Sequence, residues 1–407
     1  MRVLSFGIWL LVFLAGLYGV YQRLATGHQL MGYTSYLPWG LGVALYIFFI
    51  GLSAGSFLLS SLIYVFSLHR LERVGKLALF TALVTLVAAL LTIWFDIGHM
   101  ERFWEIYVMP NWTSPMAWMV WLYTAYIILV TVEFWFAIRG DLVEWSTRLG
   151  IRGWLASVLT LGRRDASPRA LGFDRRMLTI LGALGVPLAI AFHGGVGALF
   201  AVVGARPFWN TSLYPLAFIV GALASGGALL TFVVAFFWPE RDTEEHRETV
   251  TFLGRITLGL LLLYLLFEWA EFSIPLYAGI PRHSMPFWTV LFGPYWWVFW
   301  GLHLGIGALL PIVLLLWRPR SPLWVGAASG LVALTFATVR LNIVIPGLVL
   351  PQLEGLENAY IDPRLSYYYF PTLAEWALNL FPAALAVAIF YLGYRYLPLI
   401  TPAQKEA

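Results

Sequence analysis

Residues 77–95 read LALFTALVTLVAALLTIWF, a run of 19 residues without an ionisable side chain. About 20 helical residues cross the hydrocarbon core of a bilayer, so this run predicts a membrane-spanning helix. The composition of the whole chain agrees, because 60% of its 407 residues are hydrophobic and only 11% are charged. Soluble domains carry roughly 45–50% apolar and about 25% charged residues. The chain is therefore predicted to be an integral membrane protein, and its long apolar runs favour helices over an alternating β-barrel pattern.

Apolar windows of spanning length recur ten times. The predicted fold is therefore an all-α integral membrane protein with about ten transmembrane helices in a single polytopic domain, residues 1–407. The first window follows Arg2 but lacks a small-residue cleavage site, so we expect a retained helix rather than a cleaved signal peptide. The predicted spans are residues 3–21, 38–67, 76–98, 115–138, 177–203, 212–238, 252–275, 286–317, 322–350 and 372–398.

The basic residues predict the orientation of these spans. Nineteen of the 25 Lys and Arg residues fall on one side and five on the other, while Arg340 falls inside a span. Cytoplasmic loops of membrane proteins carry the excess of Lys and Arg, so we expect both termini in the cytoplasm. The longest predicted cytoplasmic connection, residues 140–176, mixes Trp and Leu with arginines, which favours a short interfacial helix over a separate domain.

A short repeat relates the two halves of the chain. Gly51-Leu-Ser-Ala-Gly55 in the second span is similar to Gly221-Ala-Leu-Ala-Ser225 in the sixth. Small residues of this kind let membrane helices approach closely. The repeat favours two four-helix bundles, formed by spans 2–5 (residues 38–203) and spans 6–9 (residues 212–350), with the first and last spans as flanking helices. Chance similarity between glycine-rich helices is the alternative.

The chain has no cysteine, which excludes disulfides, cysteine-ligated zinc and iron–sulfur clusters held by this chain. The net charge of +4 comes from dispersed arginines that topology explains, so it does not indicate nucleic-acid binding. Two histidines deep in the predicted spans, His193 and His303, are the minimum for one bis-histidine haem. Without such a haem, electrons would have to come from or go to a partner protein.

Ionisable groups inside a bilayer cost roughly 2.5–3.5 kcal/mol each, so each of them needs a physical reason. Most of those in the predicted spans fall in the half that faces outward. His303 near the middle of span eight and Glu133 near the inner end of span four depart from this pattern. The members of the outward group are Tyr46, Asp96, His193, Glu268, Glu271, Arg340 and Glu375.

Three of the carboxylates have simple structural explanations. Asp96 and Glu375 lie at span ends, where a carboxylate touches water or caps a loop. Glu133 is close enough to the inner interface for its side chain to reach water there.

The deeper groups are harder to explain by position alone. Arg340 could pair with Glu268 or Glu271, and His303 could be a hydrogen-bonded core residue. His193 opens the segment His193-Gly-Gly-Val-Gly197, whose small residues leave space beside the ring. We therefore weigh a ligand-contacting role for His193 above a purely structural one.

This distribution fits an amphipathic ring with an isoprenoid tail, such as a quinone. The ring needs hydrogen-bond partners for two carbonyl oxygens, an opening toward lipid, and a route for two protons. A concentration of His, Tyr and carboxylate groups in one leaflet meets those needs.

Several motifs resemble those of the NrfD/PsrC family of membrane subunits. They are Asp96-Ile-Gly-His-Met-Glu-Arg-Phe103, Ser114-Pro-Met116 at the start of span four, His193-Gly-Gly-Val-Gly197, and Arg206-Pro-Phe-Trp209. The segment Tyr369-Phe-Pro-Thr-Leu-Ala-Glu375 resembles the long, ten-span branch, which includes hydrogenase-2-type membrane subunits. The likeness covers essentially the whole chain.

The resemblance implies a quinone-binding anchor without haem, with menaquinone or ubiquinone as its cofactor. It also implies an iron–sulfur subunit with four clusters, docked on the outer face. That subunit would join a catalytic subunit such as a molybdopterin enzyme, a hydrogenase or a multihaem cytochrome. The implied location is the cytoplasmic (inner) membrane of a bacterium or archaeon.

The resemblance also suggests site residues, with two departures. Tyr46 stands where short relatives have a histidine, and the reference pKa of a tyrosine, about 10, makes proton delivery harder. Trp118 stands where some relatives have an acidic residue early in span four. The expected quinone-binding residues are Tyr46, Asp96, His99, His193 and Arg206. The expected proton-path or supporting residues are Glu133, Glu268, Glu271, His303, Arg340 and Glu375.

We therefore expect the membrane subunit of a respiratory oxidoreductase. An extended form of this hypothesis adds proton translocation through Glu133 and His303. One rival is a proton-coupled secondary transporter, although the sites of such transporters usually lie at the bilayer midplane. The other rival is a cytochrome b-type anchor that uses His193 and His303.

Overall fold

The structure is a computed structural model that describes residues 2–65, 72–241, 243–360 and 362–400. Ten helices in it are long and apolar enough to span a membrane, so the prediction of an all-α protein with ten spans is confirmed. No β-strand occurs within the described ranges. We number these helices α1 (Arg2–Thr26), α2 (Leu41–Val65), α3 (Glu72–Asp96), α4 (Pro115–Trp145), α5 (Pro168–Ala201), α6 (Tyr214–Phe237), α7 (Glu244–Ala278), α8 (Val298–Trp317), α9 (Pro322–Val344) and α10 (Leu373–Tyr396).

Short helices lie in the connections between these spans. They are Met100–Arg102, Glu105–Val108, Ile151–Leu159, Pro281–Phe292, Leu356–Ala359 and Pro363–Leu365. Residues 66–67 of the second predicted span lie outside the described residues, as do Arg70 and Lys405 of the charge count. Which side of the membrane each end of the helices faces is a prediction from the charge count.

The predicted span 286–317 is wrong at its start. One helix ends at Phe292, and α8 begins at Val298. The break falls at Gly293-Pro294, since proline has no backbone N–H and disfavours a helical conformation in the residue before it. The first twelve residues of α8, Val298–Leu309, form a π-helix, which is rare in proteins and is often found at functional sites.

Helices α2 and α6 cross at the centre of the molecule and are the most buried of the ten. The glycines of the sequence repeat explain this close crossing. A Cβ atom at Gly55, in the first repeat unit, would collide with the backbone carbonyl of Ala222 in the second, so only glycine fits there. Around this crossing, α2 packs on α3 and α5, and α6 packs on α7 and α9, while α1 packs along α10. Whether these contacts reflect two repeated bundles remains a prediction.

The two ends of the helical assembly differ in chemistry. One end, which we call the polar end, carries the connections 27–40, 97–114, 202–213, 279–297 and 345–372. The opposite end, which we call the basic end, carries residues 146–167, 238–241 and 318–321. The charge count predicts that the polar end faces outward and the basic end faces the cytoplasm.

Candidate functional site

Two tyrosine–carboxylate pairs meet at the polar end. The Tyr33 hydroxyl donates to Oδ1 of Asp96. The Tyr369 hydroxyl donates to Oε1 of Glu375 over 2.5 Å and accepts a 2.7 Å hydrogen bond from the backbone N–H of Leu41. The rings of Tyr33 and Tyr369 are nearly parallel, with centroids 6.4 Å apart. We call these four side chains the tyrosine–carboxylate network.

Glu375 is fixed in the network by the start of α10. Thr372 is the N-cap, and its hydroxyl accepts from the Glu375 N–H over 3.2 Å. Oε2 of Glu375 accepts in return from the Thr372 N–H over 2.9 Å, which completes a capping box, and also from the Gly32 N–H over 3.0 Å. The Thr-x-x-Glu pattern is visible in the sequence, whereas the bond from Gly32 crosses 343 residues.

Asp96 ends α3, where a carboxylate is unfavourable next to the negative end of the helix dipole. Arg23 offsets this, because its Nε donates to the Phe95 carbonyl over 2.7 Å and its Nη2 donates to the Ile97 carbonyl over 2.7 Å. The Asp96 carboxylate also occupies the space that a Cβ at Gly42 would need, beside the positive end of the α2 dipole. Asp96 is therefore held between two helix ends and not simply exposed to water.

The two tyrosines of the network are held in their protonated form. Burial raises the pKa of Tyr33, and the nearby Asp96 and Glu375 raise it further. Burial and Glu375 raise the pKa of Tyr369 in the same way. Both hydroxyls therefore act as donors at neutral pH, and a proton can pass along them only by exchange within the hydrogen bonds.

A cleft adjoins this network between the starts of α8 and α10 and the end of α9. Its volume is about 80 Å³, and Tyr295, Asn342 and Tyr369 contribute to its lining. The Tyr295 hydroxyl and the Asn342 side-chain Nδ2 are buried without a hydrogen-bond partner among the described residues. Trp297 and Trp376 line the cleft while remaining about half exposed. We call this space the Tyr295–Asn342 cleft.

Sequence reasoning did not assign either polar group of the cleft. The sequence places Asn342 with Arg340 in the outer half of the ninth span but gives it no role. Tyr295 follows the Gly293-Pro294 break and was hidden inside the predicted span 286–317. The glycine–proline pair was the signal that this tyrosine belongs to a connection.

A second centre lies deeper, between α2, α5, α6 and α9. His193 and Arg340 are each only 1% exposed. Neither His193 ring nitrogen has a hydrogen-bond partner in the described part of the chain, and the same holds for Nη1 and Nη2 of Arg340. The guanidinium lies over the Phe218 ring, 4.4 Å from its centroid. We call this the His193–Arg340 centre.

The glycines of the sequence repeat border this centre. A Cβ at Gly51 would lie 3.6 Å from Nη2 of Arg340, 3.6 Å from the Ser225 hydroxyl and 3.7 Å from the His193 ring. A Cβ at Gly221 would lie 3.1 Å from the same Nη2 atom. The first glycine of each repeat unit therefore makes room for the buried arginine.

The hypothesis that Arg340 pairs with Glu268 or Glu271 is wrong for the described residues. Glu268 instead lies 2.8 Å from the His303 ring, Oε2 to Nε2. Glu271 faces the buried hydroxyl of Tyr214. Both glutamates share a face of α7 as expected, but Glu268 pairs with a residue of α8 and Glu271 lies near a residue of α6. A cation that is buried without a carboxylate partner is costly, so the surroundings of Arg340 call for a functional explanation.

Glu133 is also isolated. It is fully buried in α4, and neither of its carboxylate oxygens has a hydrogen-bond partner within the described ranges. The hypothesis that its side chain reaches the interface is therefore wrong. A buried, unpaired carboxyl is costly and is a candidate for proton transfer.

The five expected quinone-binding residues are not brought into one cluster. Tyr46 follows Gly42 by one helical turn, so both lie on one face of α2. Gly51, which lies beside His193, is on the opposite face. His99 is exposed and pairs with Glu101 at 3.2 Å.

Arg206 occupies a separate position at the polar end. Its Nη1 donates to the Leu350 carbonyl over 2.9 Å, so it secures the connection that follows α9. Partial burial lowers the pKa of Arg206, which remains a cation at neutral pH. No group of three or more His, Asp or Glu side chains that could hold a metal occurs within the residues that the structure describes.

Comparison with known proteins gives related sequences over the length of the chain. It is 38% identical to one of the subunits of the selenate reductase of Mesobacillus selenatarsenatis, covering 100% of this chain and 96% of the relative. It is 27% identical to the Hdr-like menaquinol oxidoreductase integral membrane subunit of Archaeoglobus fulgidus, covering 91% and 87%. It is 24% identical to the menaquinone reductase integral membrane subunit of Nitratidesulfovibrio vulgaris, covering 96% and 90%.

The same motifs that frame Asp96, His193 and Arg206 fall within residues 29–352, which match the family model described as polysulphide reductase, NrfD. The matched region covers α2 to α9 and so includes the His193–Arg340 centre and the Tyr33–Asp96 pair, whereas Tyr369 and Glu375 lie beyond it. This protein is thus a multi-pass membrane member of the NrfD, polysulphide reductase family.

Proposed function

We propose that the chain is the quinone- or quinol-binding membrane subunit of a respiratory oxidoreductase complex. Its relatives include subunits named for menaquinol oxidoreductase and menaquinone reductase, which supports a quinone as the membrane-soluble reactant. The absence of cysteine means that the chain holds no iron–sulfur cluster of its own. An iron–sulfur subunit at the polar end, joined to a catalytic subunit, therefore exchanges electrons with the quinone.

The observation that carries this proposal is the position of the Tyr295–Asn342 cleft beside the tyrosine–carboxylate network. The two unpaired groups, the Tyr295 hydroxyl and the Asn342 amide, are hydrogen-bond donors of the kind from which the two carbonyl oxygens of a quinone ring accept. The exposed indoles of Trp297 and Trp376 offer an apolar path for a lipid-soluble tail. A quinone takes up two electrons and two protons when it is reduced and releases them when the quinol is oxidised.

The network supplies the proton chemistry next to that cleft. Tyr369 lines the cleft and is hydrogen-bonded to Glu375, while Tyr33 links the same region to Asp96. Two carboxylates within reach of two hydroxyls can each take up or deliver one proton. Asp96 and Glu375 are therefore assigned as proton-exchanging groups.

Purification of the complex from mild detergent tests this function. We expect iron–sulfur protein and about one quinone per chain to copurify. The variant Asn342→Leu is expected to keep the iron and the partner subunits but to lose most of the quinone, since a donor that the ring needs is removed. Asn358→Leu, which changes an exposed asparagine at the same end, is the matched control.

Two outcomes would contradict the proposal. A stable protein that purifies alone, without iron or quinone, would favour the proton-coupled transporter. Equal quinone content in the Asn342→Leu and Asn358→Leu variants would show that the cleft does not bind the quinone.

Proton translocation is a second function, favoured by the isolation of Glu133. The variant Glu133→Gln keeps the shape of the side chain but cannot exchange a proton. We expect it to lower the number of protons moved per electron in vesicles while turnover with quinone continues. Glu144→Gln, on the same helix but exposed and paired with Arg148, is the matched control. An unchanged proton-to-electron ratio in Glu133→Gln would exclude this role.

A further inference from the structure

A large cavity at the basic end lies far from both polar centres described above. Its volume is about 560 Å³, and it lies where α4 and α5 meet the turn 162–165. Four arginines and two aspartates line it, so the net charge of its lining is +2. The charged lining residues are Arg139, Arg163, Arg164, Asp165, Arg169 and Asp174. We call this space the arginine cavity.

The floor of the arginine cavity is a buried ion pair. Nε of Arg139 lies 2.8 Å from Oδ2 of Asp174, and both residues are almost fully buried. Nη1 of Arg139 donates to the backbone carbonyl of Asp165 over 2.7 Å, which ties the 162–165 turn to α4. The pair is neutral as a whole, so its role here is to hold the shape of the cavity.

The entrance of the cavity carries the uncompensated charge. Arg163 and Arg169 make no ion pair with an acidic side chain among the residues described, and Arg164 donates to the Ser157 hydroxyl over 2.9 Å. The Asp165 carboxylate accepts from the Ser167 N–H over 2.8 Å and thereby shapes the start of α5. The positive end of the α5 dipole adds to the arginine charge at this point.

The depth of the cavity matches the headgroup layer of a bilayer. The apolar run of α5 begins at residue 177. At 1.5 Å per residue, Phe173 lies about 6 Å and Arg169 about 12 Å outside that run. The headgroup layer on each side of a bilayer is roughly 5–8 Å thick, so Phe173 lies within that layer and the backbone of Arg169 lies just beyond it, in the adjoining water.

Apolar side chains beside the cavity face the same layer. Phe173 lines the cavity and is 48% exposed. The short helix Ile151–Leu159 exposes Ile151, Trp154 and Val158, which is typical of a helix lying in the membrane interface. A soluble anion would make no apolar contact with these side chains, whereas a lipid would contact them with its glycerol and acyl groups.

We propose that the arginine cavity binds the phosphate group of an anionic membrane phospholipid. Arg163 and Arg169 contact the phosphate, because guanidinium groups match its geometry with paired hydrogen bonds. Phe173 and the short helix contact the apolar part of the lipid. The site is separate from the polar end and does not depend on the proposed quinone function.

Lipid binding to the delipidated, detergent-purified complex, measured by native mass spectrometry, tests this proposal. We expect phosphatidylglycerol to bind the wild-type complex more tightly than phosphatidylcholine. The double variant Arg163→Gln/Arg169→Gln is expected to weaken phosphatidylglycerol binding by about fivefold per arginine removed, about 25-fold in total. Arg175→Gln/Arg176→Gln removes the same charge from exposed positions of α5 and should weaken binding much less, because neither side chain lines the cavity.

Each contrary result overturns a defined part of the proposal. Equal binding of the two lipids by the wild-type complex would show that the phosphate and its net charge are not recognised. Equal losses in the two double variants would show a general surface attraction instead of a site. Tight binding of inorganic phosphate that abolishes phosphatidylglycerol binding would assign the cavity to a soluble anion.

Discussion

Replacing Asp96 by Asn is expected to lower the quinone-dependent turnover of the intact complex by about two orders of magnitude or more, the usual contribution of a positioned acid or base. The amide still accepts the hydrogen bond from Tyr33, so the contacts between α3 and the 27–40 connection are kept. It cannot accept or deliver a proton, so proton exchange beside the Tyr295–Asn342 cleft is lost. Activity with an artificial dye, which bypasses the quinone, should be unchanged.

The measurement compares quinone-dependent and dye-dependent rates of the purified complex. Asp362→Asn is the matched control, since Asp362 lies at the polar end but pairs with exposed Arg364 at 3.1 Å. Parallel loss of both activities in Asp96→Asn would instead indicate that Asp96 is needed for assembly. Full activity with quinone would exclude Asp96 as a proton-exchanging group.

Replacing Arg340 by Met is expected to separate stability from function. Arg340 is buried and has no carboxylate partner among the described residues, so the apolar side chain removes a desolvation cost without leaving an unpaired acid. The thermal stability of the subunit in detergent should therefore stay the same or rise. Quinone-dependent turnover should fall by about tenfold or more, because a buried charge next to His193 is kept at a cost in stability only where it serves function.

Arg139→Met is the contrasting variant on another helix. Arg139 is equally buried, but it is paired with Asp174, so its loss leaves a buried carboxylate without a partner. We expect this variant to lose about 3–5 kcal/mol of unfolding free energy. If Arg340→Met were destabilised to the same extent, Arg340 would be a structural residue, as the alternative interpretation of the sequence holds.

The positions of the helices were accessible from the sequence because the bilayer imposes one strong local rule. Every backbone N–H and C=O group in the hydrocarbon must be hydrogen-bonded within its own helix. Each span therefore appears in the sequence as a continuous apolar run. The rule failed at Gly293-Pro294, where apolar residues continue across a break in the helix. There a backbone preference of two residues decided the structure, and hydropathy carried no signal.

The candidate site was only partly accessible. The costly residues could be identified one by one, since charged groups in apolar runs stand out. Their partners could not, because a pair such as Glu268 and His303 depends on how α7 and α8 are rotated against each other. The widening of α8 into a π-helix also changes which of its residues face α7. The spacing of hydrophobic residues in the sequence does not reveal this change.

The sequence by itself determined that this chain is an all-α membrane protein with ten spans and that it carries its ionisable groups mainly toward one end. Those properties depend on local composition and on the cost of placing charge in hydrocarbon. Only the tertiary structure decided which groups meet: Asp96 with Tyr33, Glu375 with Tyr369, and Arg340 with no acid at all among the residues described. Asp96 and Tyr33 lie 63 residues apart, and Glu375, although only six residues from Tyr369, also accepts from Gly32 across 343 residues. These contacts depend on the packing of the helices around the close crossing of α2 and α6.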